Sequence, residues 1–160
     1  MPNLKEKYPR SVPGLFTIGY EATTLDRVLA ALRGAGVTHL VDVRAVPQSR
    51  KPGFSKRLLA ASVEAMGLRY THLRGLGTPK AGREAVRHGQ VARMHDIFGA
   101  HMQTHEAQAD LAHAVEIARE GGACLLCFER DHTNCHRDIV AGLIRAQTRQ
   151  VVTHLVADAP

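Results

Sequence analysis

The chain has no tryptophan, and only 4% of its residues are aromatic. Phe54 and Tyr70 are the aromatics that interleave with its basic residues, so a stacking platform for single-stranded nucleic acid has little support. Cysteine occurs three times, an odd number in a chain whose first ten residues are polar and lack the apolar core of a secretory signal. Reduced thiols and a cytoplasmic location are therefore expected rather than a disulfide framework. No run approaches the ~18 apolar residues needed to span a membrane, so no membrane partner is expected. Internal repeats and low-complexity segments are also missing. Acidic residues are absent between Asp42 and Glu64, where Arg44, Arg50, Lys51, Lys56 and Arg57 all occur, and the next acid is Glu84.

What remains is a globular composition, with 44% hydrophobic and 22% charged residues. At 160 residues the chain fits one domain able to bury roughly 68–70% of its unfolded surface. A net charge of +6 and a pI of about 9.7 favour anionic partners.

Met1 to Pro13 carries three prolines and several charges without periodicity, which predicts a flexible N-terminal arm ahead of a single domain over 14–160. Leu15 to Tyr20 reads as a buried strand. Thr23 with Asp26 resembles a capping box for a helix using Leu25, Val28, Leu29 and Leu32, ended by Gly34 and Gly36. His39 to Ala45 predicts a second strand, closed by Pro47. Ser55 is placed as N-cap of a helix with Leu58, Leu59, Val63 and Met66, and Arg69 to Arg74 alternates as a third strand. Arg83 to Gly121 predicts two helices with a break near Thr104. Ala123 to Glu129 is a fourth strand, Ile139, Val140, Leu143 and Ile144 face one side of a last helix, and Val151 to Val156 is a fifth strand.

Strand and helix alternate throughout. That pattern predicts an α/β class: a mostly parallel five-stranded sheet with helices on both faces, in Rossmann-like layering. Ligands in such sheets bind beyond the carboxyl ends of the strands. The segments leaving the strands are Gly19-Tyr20-Glu21, Asp42 through Arg50, His72 through Gly77 and Cys127 through Arg137, so four polar clusters should meet at one rim.

Within Ala123 to Arg137 (ACLLCFERDHTNCHR), Asn134 is a good N-cap, which puts Cys135 in the first turn of the last helix. Free N–H groups and the helix dipole there favour a thiolate, with His136, Arg137, Arg130 and His132 adding positive charge. Cys135 is then a nucleophile or a thiolate contact to a ligand; its bland alternative is a small packed residue at a helix start. Arg44 and Arg137 frame an anion site; the alternative for Arg137 is an ion pair with Asp42, which needs a partner between Val41 and Val43, and both readings hold if Asp42 keeps one arginine while the other meets the ligand. Glu129 reads equally as a general base or as a partner for Arg130 or Arg50. Cys127, His132, Cys135 and His136 lie within ten residues, but their spacing is wider than the tight pairs of structural zinc, and Cys127 falls inside a strand. No metal and no cofactor are expected. The ligand-binding set is Gly19, Tyr20, Glu21, Asp42, Arg44, Ser49, Arg50, Lys51, His72 and Arg137, and the catalytic set is Cys135, Glu129 and His136.

TIGYE at Thr17 to Glu21, VDVRAVPQSRKPGFSK at Val41 to Lys56, YTHLRGLGTPK at Tyr70 to Lys80 and LLCFERDHTNCHR at Leu125 to Arg137 resemble the family called domain of unknown function 488 (DUF488). The resemblance runs from Phe16 to Val156. It implies a small intracellular α/β protein of bacterial or archaeal type and leaves the reaction open, while Arg74 and Thr78 depart from the family pattern.

Three functions fit these residues. The leading one is an anion-binding enzyme acting on a phosphate-bearing ligand, a nucleotide or a nucleic acid, at the rim of the sheet. The second is a non-catalytic nucleic-acid-binding module that uses the basic loop Arg50 to Arg57. The third is rhodanese-like sulfur transfer, suggested by a strand ending in Asp-Val-Arg and a cysteine ahead of a helix, although Cys135 stands farther from its strand than a rhodanese cysteine does. No particular oligomeric state is specified by these residues.

Overall fold

The computed structural model describes residues 13–158, and the arm expected over Met1 to Pro13 lies outside these residues except for Pro13. Five strands form one sheet: β1 (Leu15–Gly19), β2 (His39–Asp42), β3 (Arg69–His72), β4 (Ala123–Cys127) and β5 (Val152–Val156). Their order is β3-β2-β4-β1-β5, with every neighbouring pair parallel. β1, β2 and β4 are buried along their whole lengths, as central parallel strands covered on both faces must be. The edge strands β3 and β5 are only partly covered.

Six α-helices cover the sheet: α1 (Leu25–Ala35), α2 (Lys56–Ala65), α3 (Lys80–Arg87), α4 (Val91–His101), α5 (His105–Arg119) and α6 (His136–Thr148). Val28, Leu32, Leu59 and Val63 of α1 and α2 pack with Phe16, Ile18, Leu40 and Leu126 in one core layer. On the opposite face, Met94, Phe98, Leu111, Val115, Val140 and Ile144 of α4, α5 and α6 pack with Leu15, Val41 and Leu125. Alternate side chains of one strand therefore feed two cores, which is why Phe16 and Ile18 part company with Leu15. The alternating pattern in the sequence is thus realised as a three-layer α/β fold.

Local boundaries differ from expectation where side chains compete for backbone groups. Thr24, not Thr23, caps α1 by accepting from Arg27 N, while the Thr23 hydroxyl donates to the Asp158 carbonyl. Gly34 is carried inside α1, and Gly36 (φ 74°) ends it. β2 stops at Asp42 because that carboxylate accepts from Arg44 N and turns the chain. Ser55 sits at the N-cap of α2, but its hydroxyl donates to the Ser49 carbonyl rather than capping the helix. The segment expected to hold two helices holds three: Gly89 (φ 72°) adds a break after α3, and Thr104, at the expected break, caps α5.

β1 and β4 lie side by side, yet β1 connects across to β2 while β4 connects the other way to β5. Adjacent strands whose connections leave in opposite directions open a crevice at their carboxyl ends. Gly19 and Cys127 are paired in register at that point. A Cβ on Gly19 would strike the Glu129 carbonyl and come within 3.0 Å of Arg137 Nη1, so the close approach of the strand ends requires glycine. Gly19→Ala is expected to cost about 1–3 kcal/mol through overpacking. Thermal unfolding should register a fall of several degrees, while Gly142→Ala, whose Cβ would meet nothing within 4 Å, should leave the midpoint level or raise it. Equal midpoints for Gly19→Ala and the parent would contradict this account.

Candidate functional site

Two buried arginines build the rim. Arg44 donates through Nε and Nη2 to the two oxygens of Asp42 (2.8 and 2.7 Å) and through Nη1 to the Tyr20 hydroxyl (3.1 Å) and the Phe54 carbonyl (2.7 Å). Tyr70 donates its hydroxyl to Asp42 at 2.5 Å, and burial pushes the Tyr70 pKa up, so it stays a donor. Asp42, fully buried, thus receives a paired guanidinium and a phenol. Tyr20 stacks on Phe54 with ring centroids 4.3 Å apart, and Phe128 meets it edge-on. His72 donates Nε2–H to the Arg44 carbonyl, fixing β3 to this loop.

Arg137 is the second arginine, completely buried in the first turn of α6. Its Nε donates to Thr17 on β1 (3.1 Å), Nη1 to Cys127 Sγ at the end of β4 (3.0 Å) and to the Glu129 carbonyl, and Nη2 to the Arg130 carbonyl (3.2 Å). Burial lowers its pKa, but a guanidinium keeps its charge. The cap of α6 is Cys135 itself, whose sulfur accepts from Arg137 N at 3.5 Å, rather than Asn134. Asn134 instead falls in a short 3-10 turn, His132–Asn134, that Asp131 caps by accepting from Thr133 N.

The sulfurs of Cys127 and Cys135 meet in a disulfide contact, which corrects the expectation of three unpaired thiols; Cys124 is free and buried. Their Cα atoms are 7.5 Å apart, beyond the 4.4–6.8 Å over which disulfides usually close. His136 donates Nε2–H to the Val43 carbonyl (2.8 Å), leaving Nδ1 3.7 Å from Cys135 Sγ. Burial lowers the His136 pKa to about 4, so the ring is neutral near pH 7 and Nδ1 is a base facing the sulfur. Glu129 Oε2 lies 3.5 Å from Cys127 Sγ, and burial raises its pKa despite Arg137. In the dithiol form, Cys127, Cys135 and His136 together would be a set of ligand atoms suited to a soft metal ion.

These groups line a cavity of about 320 Å³. Tyr20, Arg44, Ser49, Glu129, Cys135 and His136 from the expected set are on its wall. Its apolar part is made by Val46, Val86, Met94 and Phe128, with Gln48, Thr78, Arg83 and Asn134 supplying polar atoms. Gly19 and Asp42 sit behind the wall as frame, and Glu21 joins through its backbone N–H, which donates to the Phe128 carbonyl. Lys51 turns away, donating Nζ to the Tyr20 and Thr23 carbonyls. His72 and Arg137 are also off the wall. Arg44 and Arg137, both expected to meet a ligand, each give four of their five side-chain N–H donors to protein acceptors, with Arg44 on the cavity wall and Arg137 behind it. Arg50 lies in a separate shallow groove with Ser55, Lys56 and Arg57, which shares Val46, Gln48 and Ser49 with the cavity.

Sequence reasoning passed over Thr17, Met94 and Phe128, which no local pattern marks, and it placed Cys127 on the structural side. Its signal was available: Cys127 ends a strand two residues before a carboxylate, where strand ends meet the rim.

The arrangement is that of a parallel α/β domain with Cys127, Glu129, Cys135 and His136 gathered at the switch point between β1 and β4. Residues 24–144 match the family model described as Domain of unknown function DUF488, so the chain belongs to that family. No curated protein and no solved structure matches it. Among the described residues no helix is long and apolar enough to cross a membrane.

Burial of His136 makes stability depend on pH. Above 6.5 the ring is neutral folded or unfolded; between 6.5 and about 4 only the unfolded chain takes up the proton. Stability is therefore lost as pH falls through that window, by up to about 3 kcal/mol from this group. His39, lowered to about 4 mainly by burial, acts in the same direction, while Glu129, raised by burial, opposes both. Urea denaturation at a series of pH values should show a shallower loss in His136→Gln; an unchanged slope contradicts the buried neutral ring.

Proposed function

We propose that this protein is an enzyme acting on a phosphate-bearing ligand, a nucleotide or a nucleic-acid end, with Cys135 as its nucleophile. The observation that carries the reading is continuity: the cavity holding Cys135, Glu129 and His136 shares the wall Val46, Gln48 and Ser49 with the groove bearing Arg50, Lys56 and Arg57. A ligand can place phosphates against exposed cations in the groove and its reacting atom in the cavity. Arg44 and Arg137 then serve by holding Asp42, Tyr20, Cys127 and the Glu129 loop in place, a change of role from direct clamp to frame.

The chemistry requires the dithiol form of the cysteine pair, reached when an external thiol reductant supplies two electrons and two protons to the disulfide. Cys135 passes its proton to His136 Nδ1, the new bond forms between Sγ and the electrophilic atom of the ligand, and the leaving group departs with its electron pair. Glu129, which burial inclines toward its protonated form, gives that group a proton. Val43 keeps His136 in the tautomer this transfer needs. Residues supporting phosphate contact are solvent-facing, so binding should weaken steeply with salt.

A 5′-phosphorylated oligonucleotide and its dephosphorylated twin separate the alternatives. Under reducing conditions the phosphorylated form should raise the unfolding temperature more, and a combined Arg50→Ala, Lys56→Ala, Arg57→Ala variant should lose most of that shift and reduce the salt slope by about one per cation removed. Cys135→Ser should keep binding and lose covalent adduct and product. Binding accompanied by neither adduct nor product in the parent would favour a non-catalytic nucleic-acid module, and no shift with either oligonucleotide or with inorganic phosphate would overturn the reading.

A further inference from the structure

Outside the cavity, three side chains from three elements converge on the other flank of α6. His132 belongs to the 3-10 turn after β4, Asp138 to the first turn of α6, and His154 to β5. His132 Nδ1 is 3.0 Å and His154 Nε2 3.5 Å from the same oxygen, Asp138 Oδ1. All three ligand atoms lie within 4.8 Å of one another. Four-coordinate zinc with bonds of about 2.1 Å separates its ligand atoms by roughly 3.4 Å, so the two measured separations bracket the edge of that polyhedron.

We propose that His132, Asp138 and His154 bind a borderline divalent transition cation of the Zn²⁺ type, and that the ion staples the loop carrying Cys135 to the edge strand β5. Two imidazoles and one carboxylate suit such an ion, and the partial exposure of all three leaves room for water to complete its shell. The support behind the site is built: His154 Nδ1 meets Thr17 Oγ1 at 2.7 Å, and Thr17 accepts from Arg137 Nε. A ligating histidine held through its second nitrogen has its coordinating nitrogen aimed, here toward Asp138.

The two rings are stacked with centroids 3.5 Å apart and planes within 2°. Parallel rings direct their lone pairs side by side, so coordination turns one ring. His132 is the one free to turn, being 34% exposed on a surface turn, while Thr17 holds His154. The same loop is already tied to the end of β5 by Arg130, which donates to the Ala157 carbonyl at 3.0 Å. An ion would add a second tie next to Asn134 and Cys135, setting the position of the cavity wall without touching the reacting atoms.

The test uses the full chain stripped with chelator and then freed of it. Zn²⁺ titration by calorimetry should show one site and raise the unfolding temperature, and Co²⁺ should give d–d bands without sulfur-to-metal charge transfer. His132→Ala and Asp138→Asn should each weaken binding about 10–100-fold with far-UV circular dichroism unchanged, while a Cys127→Ser, Cys135→Ser variant binds like the parent. His132→Ala is decisive if other variants fail to fold, because it lies on the surface turn. Absence of Zn²⁺ binding, binding that survives His132→Ala undiminished, or a sulfur charge-transfer band lost with the cysteines would each overturn the proposal. None of these readouts depends on catalysis, so failure of this site and failure of the enzyme reading are separate results.

Discussion

A single buried guanidinium holds the switch point together. Arg137 has no solvent exposure, and among the described residues no carboxylate is in ion-pair contact with it; its partners are a hydroxyl, a sulfur and two carbonyls drawn from β1, β4 and the loop after β4. A charge in that position is expensive unless its donors are satisfied, so the geometry of all four acceptors is coupled to it. The missing glycine side chain at position 19 is one consequence. The position of Cys127 is another, since its sulfur accepts from Arg137 Nη1 at 3.0 Å.

Arg44 repeats the solution on the other side of the cavity with a carboxylate in place of carbonyls. Asp42 ends β2, turns the chain by accepting from Arg44 N, and binds the same residue's guanidinium at two points. The loop so formed carries Val46, Gln48 and Ser49 along the cavity and delivers Arg50 to the outside. Between the two arginines the protein keeps its titratable groups poorly hydrated: His136 neutral, Glu129 drawn toward its protonated form, and both sulfurs shielded. Perturbed groups gathered in a concave site at a sheet's switch point are what a reactive centre requires.

Much of this architecture was legible in the sequence because it depends on local patterns. Buried runs such as LFTIG and ACLLC, apolar spacing in α1, α2 and α6, and glycine stops at Gly36 and Gly121 specify elements without long-range information. The rule about strand ends then brought Gly19, Asp42, Glu129 and Cys135 to one rim. What escaped were choices between equivalent local partners. Thr23 and Thr24 can both cap, and only the distant Asp158 carbonyl decides between them. Asn134 is a better cap by type than Cys135, but the turn capped by Asp131 draws it away. Arg44 and Arg137 looked alike as ligand clamps, since a sequence shows donors without their acceptors. Cys127 was undervalued for a similar reason: a strand residue is usually core, unless it is the last one before the rim.

The central claim is that Arg137 positions and polarises the cysteine pair from behind. It is tested most directly by the rate at which iodoacetamide alkylates Cys127 and Cys135 in the reduced protein near neutral pH, resolved by peptide mass spectrometry, in the parent and in Arg137→Gln at a temperature where both are folded. Loss of a favourable charge interaction of about 1.4 kcal/mol corresponds to a tenfold smaller thiolate fraction, so a slowing of about that size at Cys127, with a smaller change at Cys135, is the predicted result. Unchanged rates at both cysteines in a folded variant would contradict it.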